Sequence, residues 1–255
     1  MLTVALLVGA ATASAQPAAV TACENCHRDQ RDTRLAAPAH DFAGSDVHRD
    51  RGFTCVDCHG GNPNEPDKVK AKAPQTGFKG KPAGQQVIAV CSRCHSDGAL
   101  MRKFAPKQRI DQAAEYATSV HGQRLAKGDT NVATCISCHG AHGVRLVTDA
   151  KAPVYVLNVA TTCSRCHSDG ERMKSYKLPD GSPLPTDQRA KYERSVHHAA
   201  MVKRNDLSAP TCNDCHGNHG AAPPGVGAIC YLCGTCHTQC RTKVARGTHN
   251  LSFYY

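Results

Sequence analysis

The sequence contains no tryptophan, and only five phenylalanines and seven tyrosines occur in 255 residues. Few side chains can therefore remove the roughly 150–250 Å² from water that a buried aromatic does. Hydrophobic residues make up 40% of the chain, but much of that is Ala, Val and Cys, so a conventional large apolar core is excluded and something other than side chains must fill the interior. Strand patterning is sparse throughout, which argues against sandwiches and barrels and leaves short helices and loops. Beyond the N-terminus no apolar run approaches the roughly 18–20 residues of a membrane span. The first fifteen residues, MLTVALLVGAATASA, carry no charge and end in Ala13-Ser14-Ala15 before Gln16. They read as an export signal that lacks the usual basic start, with a mature chain free of membrane helices from Gln16 onward.

What is abundant is cysteine and histidine, sixteen and fifteen respectively. The cysteines fall into CxxCH seven times: Cys23/Cys26/His27, Cys55/Cys58/His59, Cys91/Cys94/His95, Cys135/Cys138/His139, Cys163/Cys166/His167, Cys212/Cys215/His216 and Cys233/Cys236/His237. Two thiols at this spacing can form thioethers to one edge of a haem while the adjacent imidazole binds the iron. Competing chemistries fit less well. A thioredoxin-like CxxC needs no following His, zinc sites need four Cys/His donors without this strict repeat, and disulfides need no histidine at all. The seventh motif sits in CYLCGTCHTQC, which is also the cysteine spacing of a cubane iron–sulfur ligand set, though Arg241 replaces the usual proline. If haem is attached there, Cys230 and Cys240 remain as a disulfide pair or as unassigned thiols. Seven covalent haems over about 34 residues of chain each would make the porphyrins themselves the core.

Eight histidines lie outside the motifs: His40, His48, His121, His142, His197, His198, His219 and His249. With only Met101, Met173 and Met201 as thioether alternatives after the leader, bis-histidine, low-potential, six-coordinate iron is expected, with all of these except His198 as axial candidates. Their placement repeats. CSRCHSDG occurs at 91–98 and 163–170; YATSVHGQRL aligns with YERSVHHAAM, and CHGAH with CHGNH. Each SVH is expected in an amphipathic helix entered near Asp111 in one copy and near Thr186 or Asp187 in the other. There Leu125 and Met201, one turn from His121 and His197, would lie against the porphyrin. His142 and His219 follow a motif histidine by three residues, at most roughly 10 Å of chain, too short to pass around the same macrocycle. Each is expected to serve a different haem.

The chain thus divides into a signal peptide (1–15), an N-terminal two-haem segment with a basic loop (16–86), a two-haem module (87–150), its repeat (151–226) and a single-haem C-terminal segment (227–255). The formal charge of +10 would be offset by about fourteen haem propionates, so it reads as internal compensation. No aromatic platform accompanies it, and no nucleic-acid partner is expected.

With its SVHG and CHGxHG elements between motifs, this sequence resembles the exported multihaem c-type cytochromes of the cytochrome c3-like, doubled-CxxCH kind over roughly residues 20–237. The resemblance implies a mainly α, loop-rich fold wrapped around closely spaced haems. It also implies electron transfer between quinol-oxidising cytochromes and terminal reductases or extracellular acceptors, in the periplasm or outside the cell. Some related proteins polymerise into filaments, with His40 or His249 suited here to reach a neighbouring copy. Where similar proteins continue past CGTCH into a further ligand-bearing helix, this sequence has only TQCRTKVARGTHNLSFYY, which leaves the second ligand of the seventh haem open, with His249 as a candidate. The alternative reading is a multihaem oxidoreductase, for example of nitrogen oxyanions, with one five-coordinate iron.

Overall fold

A computed structural model describes residues 19–178, 180–224 and 229–237. The leader, His249, Cys240 and the side chain of Cys230 lie outside the described residues. The protein is mainly α, built of many short helices and loops. Among the described residues no strand forms, and β pairing is confined to an isolated bridge between Lys177 and Pro183.

Packing separates two units. One comprises residues 19–82 with the segment Gly140–Leu146; the other comprises 83–139 and the chain from Val147. In the first unit, Ala22–Arg28 packs on Thr33–Ser45. Glu24, 2% exposed, is held there by Arg49 at 2.7 Å and Arg28 at 3.3 Å, which satisfies a buried carboxylate. The buried Asp46 ties in the inserted segment: its Oδ2 accepts from Val144 N–H, and Val47 N–H donates to Val144 O, both at 2.9 Å. Residues 61–86, which composition suggests are an exposed loop, instead contain the helix Lys68–Ala71 and the 3₁₀ turn Pro74–Thr76. They bond back to the motif helix Cys55–His59 through Lys79 N–H on His59 O. The approach is so close that a Cβ on Gly60 would sit 2.0 Å from Gly77 O, so only glycine fits.

In the second unit the repeat is visible as architecture. Gln85–His95, Gly98–Phe104, Gln112–Thr118, Val120–Ala126 and Cys135–His139 recur as Val159–His167, Gly170–Met173, Gln188–Glu193, Val196–Arg204 and Cys212–His216, before Ile229–Cys233. The expected single SVH helix is two helices in both copies. Asp111 and Asp187 begin the first, but Ser119 (φ −68°, ψ 160°) and Ser195 (φ −77°, ψ 158°) are extended and cap a second. The serine hydroxyl competes with the helical ladder and restarts it. Leu125 and Met201, both 4% exposed, are covered by protein; Met201 packs with Ala200, Ala209 and Val156. The expectation that they face a porphyrin is therefore corrected. Apart from Val87 and Leu125, the buried apolar side chains among the described residues are alanines and methionines.

Candidate haem sites

Each CxxCH begins from a local device. One helical turn brings cysteines at i and i+3 to one face and leaves the histidine beside them. In four motifs a threonine precedes the first cysteine, and in three of these the side chain three residues later reaches back to its N–H: Asp57 to Thr54 (2.7 Å), Ser137 to Thr134 (3.0 Å) and Asp214 to Thr211 (2.8 Å). This is the reciprocal half of a capping box, and the pattern TCx[DS]CH signals it in the sequence. CSRCHSDG works differently. There the motif ends a longer helix, and the aspartate caps the next: Asp97 accepts from Ala99 and Leu100 N–H (2.8 and 3.0 Å), Asp169 from Arg172 N–H (3.0 Å).

Four motif histidines face a histidine from elsewhere in the chain. His59 and His142 have ring centroids 6.0 Å apart and planes 11° from parallel. His139 and His219 are 6.1 Å apart at 10°, His197 and His237 6.1 Å at 29°, and His121 and His167 6.1 Å at 66°. A metal–imidazole bond of about 2 Å on each side, plus roughly 1 Å from nitrogen to ring centre, puts two trans imidazoles about 6 Å apart. The spacing therefore fits one iron between each pair. Two facing imidazoles leave the equatorial positions to another ligand, and among the described residues no cluster of three or more His, Cys, Asp or Glu could hold a metal by itself. Burial pushes the imidazoles of His121, His139, His142 and His167 below the ordinary histidine value, favouring the neutral, ligating form.

Ring orientation points the same way. Nδ1 of His27, His59 and His216 donates to the carbonyl oxygens of Leu35, Gly80 and Ala222 at 3.1, 2.8 and 3.2 Å. His48 Nδ1 bonds the buried Asp46 carboxylate at 2.9 Å, and His219 Nδ1 lies 3.6 Å from Glu115. In His27, His59 and His216 the donating Nδ1 leaves Nε2 as the acceptor, the arrangement that orients metal-bound histidines. His40 is the exception, since its Nε2 donates to Arg28 O at 3.2 Å. Among the described residues no second imidazole faces His27 or His216. His95 ends the helix Gln85–His95.

None of the motif cysteines forms a disulfide. The first thiol of every motif is half-buried, as are the second thiols Cys94, Cys138 and Cys166, whereas Cys26, Cys58, Cys215 and Cys236 are exposed. Only weak polar contacts reach two of these sulfurs, from Gln30 Nε2 to Cys26 Sγ at 3.7 Å and from Thr235 Oγ1 to Cys236 Sγ at 3.8 Å. Cys58 and Cys94 belong to motifs whose first cysteines, Cys55 and Cys91, each meet a cysteine of another motif.

The sulfurs of different motifs also meet. Cys91 and Cys135 share a hydrogen bond that draws the Cys135 thiol down; Cys163 and Cys212 share another, which draws Cys212 down and Cys163 up. Burial pushes the thiols of Cys55, Cys138 and Cys215 up, and proximity to Cys23, Cys166 and Cys233 respectively adds to it. Attachment points on successive motifs are thus neighbours within each unit.

Turns that present two thiols and an imidazole, backed by second imidazoles at trans-ligand distance, define a scaffold for several c-type haems. Residues 47–168, which hold four complete CxxCH motifs, match the family model described as cytochrome c3. The match, over just under half of the chain, supports a cytochrome c3-like multihaem family, which implies covalently attached c-type haem and electron transfer. Comparison with curated proteins and with solved structures returns no match. No described helix is long and apolar enough to cross a membrane.

Proposed function

We propose that this protein is an exported electron carrier with seven haems, one on each CxxCH, that moves electrons in periplasmic or extracellular respiration along closely spaced bis-histidine irons. The observation that carries the proposal is the set of four imidazole pairs with ring centroids about 6 Å apart, each made of one motif histidine and one from outside the motifs. Haem, when bound, supplies a one-electron iron couple. The chain's residues do the rest. His59 and His142, His139 and His219, His167 and His121, and His237 and His197 would hold the iron in pairs, and iron held by two imidazoles would supply outer-sphere electron transfer rather than substrate binding. Asp46 and the carbonyls of Leu35, Gly80 and Ala222 hold Nδ1 protons and so orient the rings of His48, His27, His59 and His216. The paired cysteines of each motif would hold the haem through two thioethers, and the contacts between cysteines of different motifs would bring successive attachment points together.

His48, its ring oriented by Asp46, is a further axial candidate on this reading. His40, once released from Arg28, and His249 complete the set, either within the chain or across a contact between copies in a filament. The donor is a quinol-oxidising cytochrome and the acceptor a terminal reductase or an extracellular oxidant. Intact mass with a haem count is the direct test: seven haems support the proposal, and six or fewer overturn its full form. A second reading, an oxidoreductase with a five-coordinate iron, draws on the lack of a facing imidazole at His27 and His216 among the described residues. Carbon monoxide added to the reduced protein separates the two. A response of about one haem equivalent or more favours the enzyme.

A further inference from the structure

Tyr116 and Tyr192 occupy equivalent places in the two repeats and bind no iron, yet each joins two haem-bearing elements. The Tyr116 hydroxyl donates to Ala133 O at 2.7 Å, and the Tyr192 hydroxyl to Pro210 O at 3.3 Å. Ala133 and Pro210 immediately precede Thr134-Cys135 and Thr211-Cys212, so each phenol is tied to the start of the second motif of its own repeat. The backbone end of each tyrosine holds the other element. Tyr116 O accepts from Ser119 N–H (3.0 Å) and Oγ (2.6 Å), and Tyr192 O accepts from Ser195 N–H (2.8 Å). Those serines cap the helices that carry His121 and His197, whose rings face His167 and His237 in the next motif along.

One residue therefore spans from the attachment turn of one haem to the axial ligand of the following one. At the same junctions Cys138 lies by Cys166 and Cys215 by Cys233, so the two haems concerned are neighbours. The linkage survives changes around it: alanine is replaced by proline at the accepting carbonyl, and Gly122 by His198 after the ligand. We infer that Tyr116 and Tyr192 are positioning residues that set the relative placement of the second haem of one repeat and the first haem of the next, through a hydroxyl-to-carbonyl tether. This inference rests on the haem assignment proposed above.

The test uses the haem-loaded full chain with Tyr116→Phe and Tyr192→Phe, which keep the ring and delete only the tether. Wild-type haem content and low-spin electron paramagnetic resonance come first, and their failure sinks the haem assignment rather than the tether. His121→Ala and His219→Ala then identify the signals of the irons on His167 and His139. With haem content retained, Tyr116→Phe is expected to shift the g values and reduction potentials of those two haems and no others, and Tyr192→Phe those on His216 and His237. Unchanged spectra and potentials in both variants overturn the inference. So does a shift spread evenly over all haems, which marks a general structural role. Should one variant lose haem, the other copy decides by the same readouts.

Discussion

At the residue scale, the pairs make assignments that a count of histidines cannot. His142 lies three residues from His139, yet its ring faces His59 at 6.0 Å. His142→Ala is therefore expected to open the iron on His59 and leave the one on His139 six-coordinate. The reduced variant should bind carbon monoxide at about one haem equivalent more than wild type, and a low-spin signal should be lost. Asp46 permits a second prediction. Burial pushes its carboxyl up, but the hydrogen bonds from the His48 ring, His48 N–H and Val144 N–H outweigh it and hold the group below the ordinary carboxylate range. The folded state thus favours the charged form. Its contribution is fully present above about pH 4, the unfolded value, and is lost as pH falls through the lower folded value. Asp46→Asn should lower stability at neutral pH by about 1.5–3 kcal/mol. Denaturant titrations should show the difference from wild type shrinking as the pH falls below about 4.

At the element scale, the helix break at Ser119 and Ser195 sets the start of the helices that carry His121 and His197. In the first copy a Cβ on Gly122 would lie 2.0 Å from Tyr116 O, the same carbonyl that receives Ser119. Gly122→Ala is expected to cost roughly 1–3 kcal/mol through overpacking and to detach His121 from the iron on His167, again visible as added carbon monoxide binding. The second copy already carries a side chain there. His198 donates from Nδ1 to Glu193 O at 3.1 Å and meets Tyr192 edge-on, so His198→Ala should cost less, about 1 kcal/mol, and leave the haem spectrum unchanged. The helices themselves were legible, because Asp111 and Asp187 are strong start signals. The restart was not, since a serine inside an amphipathic run reads as helix surface until its backbone is seen to be extended. Likewise, Lys and Pro make residues 61–86 look like solvent loop, and only the approach of Gly77 to Gly60 shows the segment folded onto its motif.

At the scale of the whole molecule, the shortage of buried apolar side chains sets the dependence on cofactor. Alanine and methionine dominate the buried apolar positions among the described residues, and burying alanines recovers too little to offset chain entropy over such short helices. The chain produced without haem attachment is expected to be largely unfolded. Far-ultraviolet circular dichroism should show most of the helicity lost, and native-like helicity in haem-free protein would contradict this.

Covalent adjacency is what the sequence determined alone. Two thiols and an imidazole within five residues act as a unit wherever the chain goes, and CSRCHSDG states both a haem turn and the cap of the next helix. The facing of His142 to His59, of His219 to His139, of His121 to His167 and of His197 to His237 was decided by the tertiary structure. Those partners are separated by 40 residues or more, and spacing over such distances limits reach without selecting a partner. Selection came from local contacts on both sides: Asp46 on Val144, the serine caps, and tyrosine hydroxyls on the carbonyls before each second motif. Short-range hydrogen bonds of this kind leave no periodic trace in a sequence, because their partners are backbone atoms that every residue possesses.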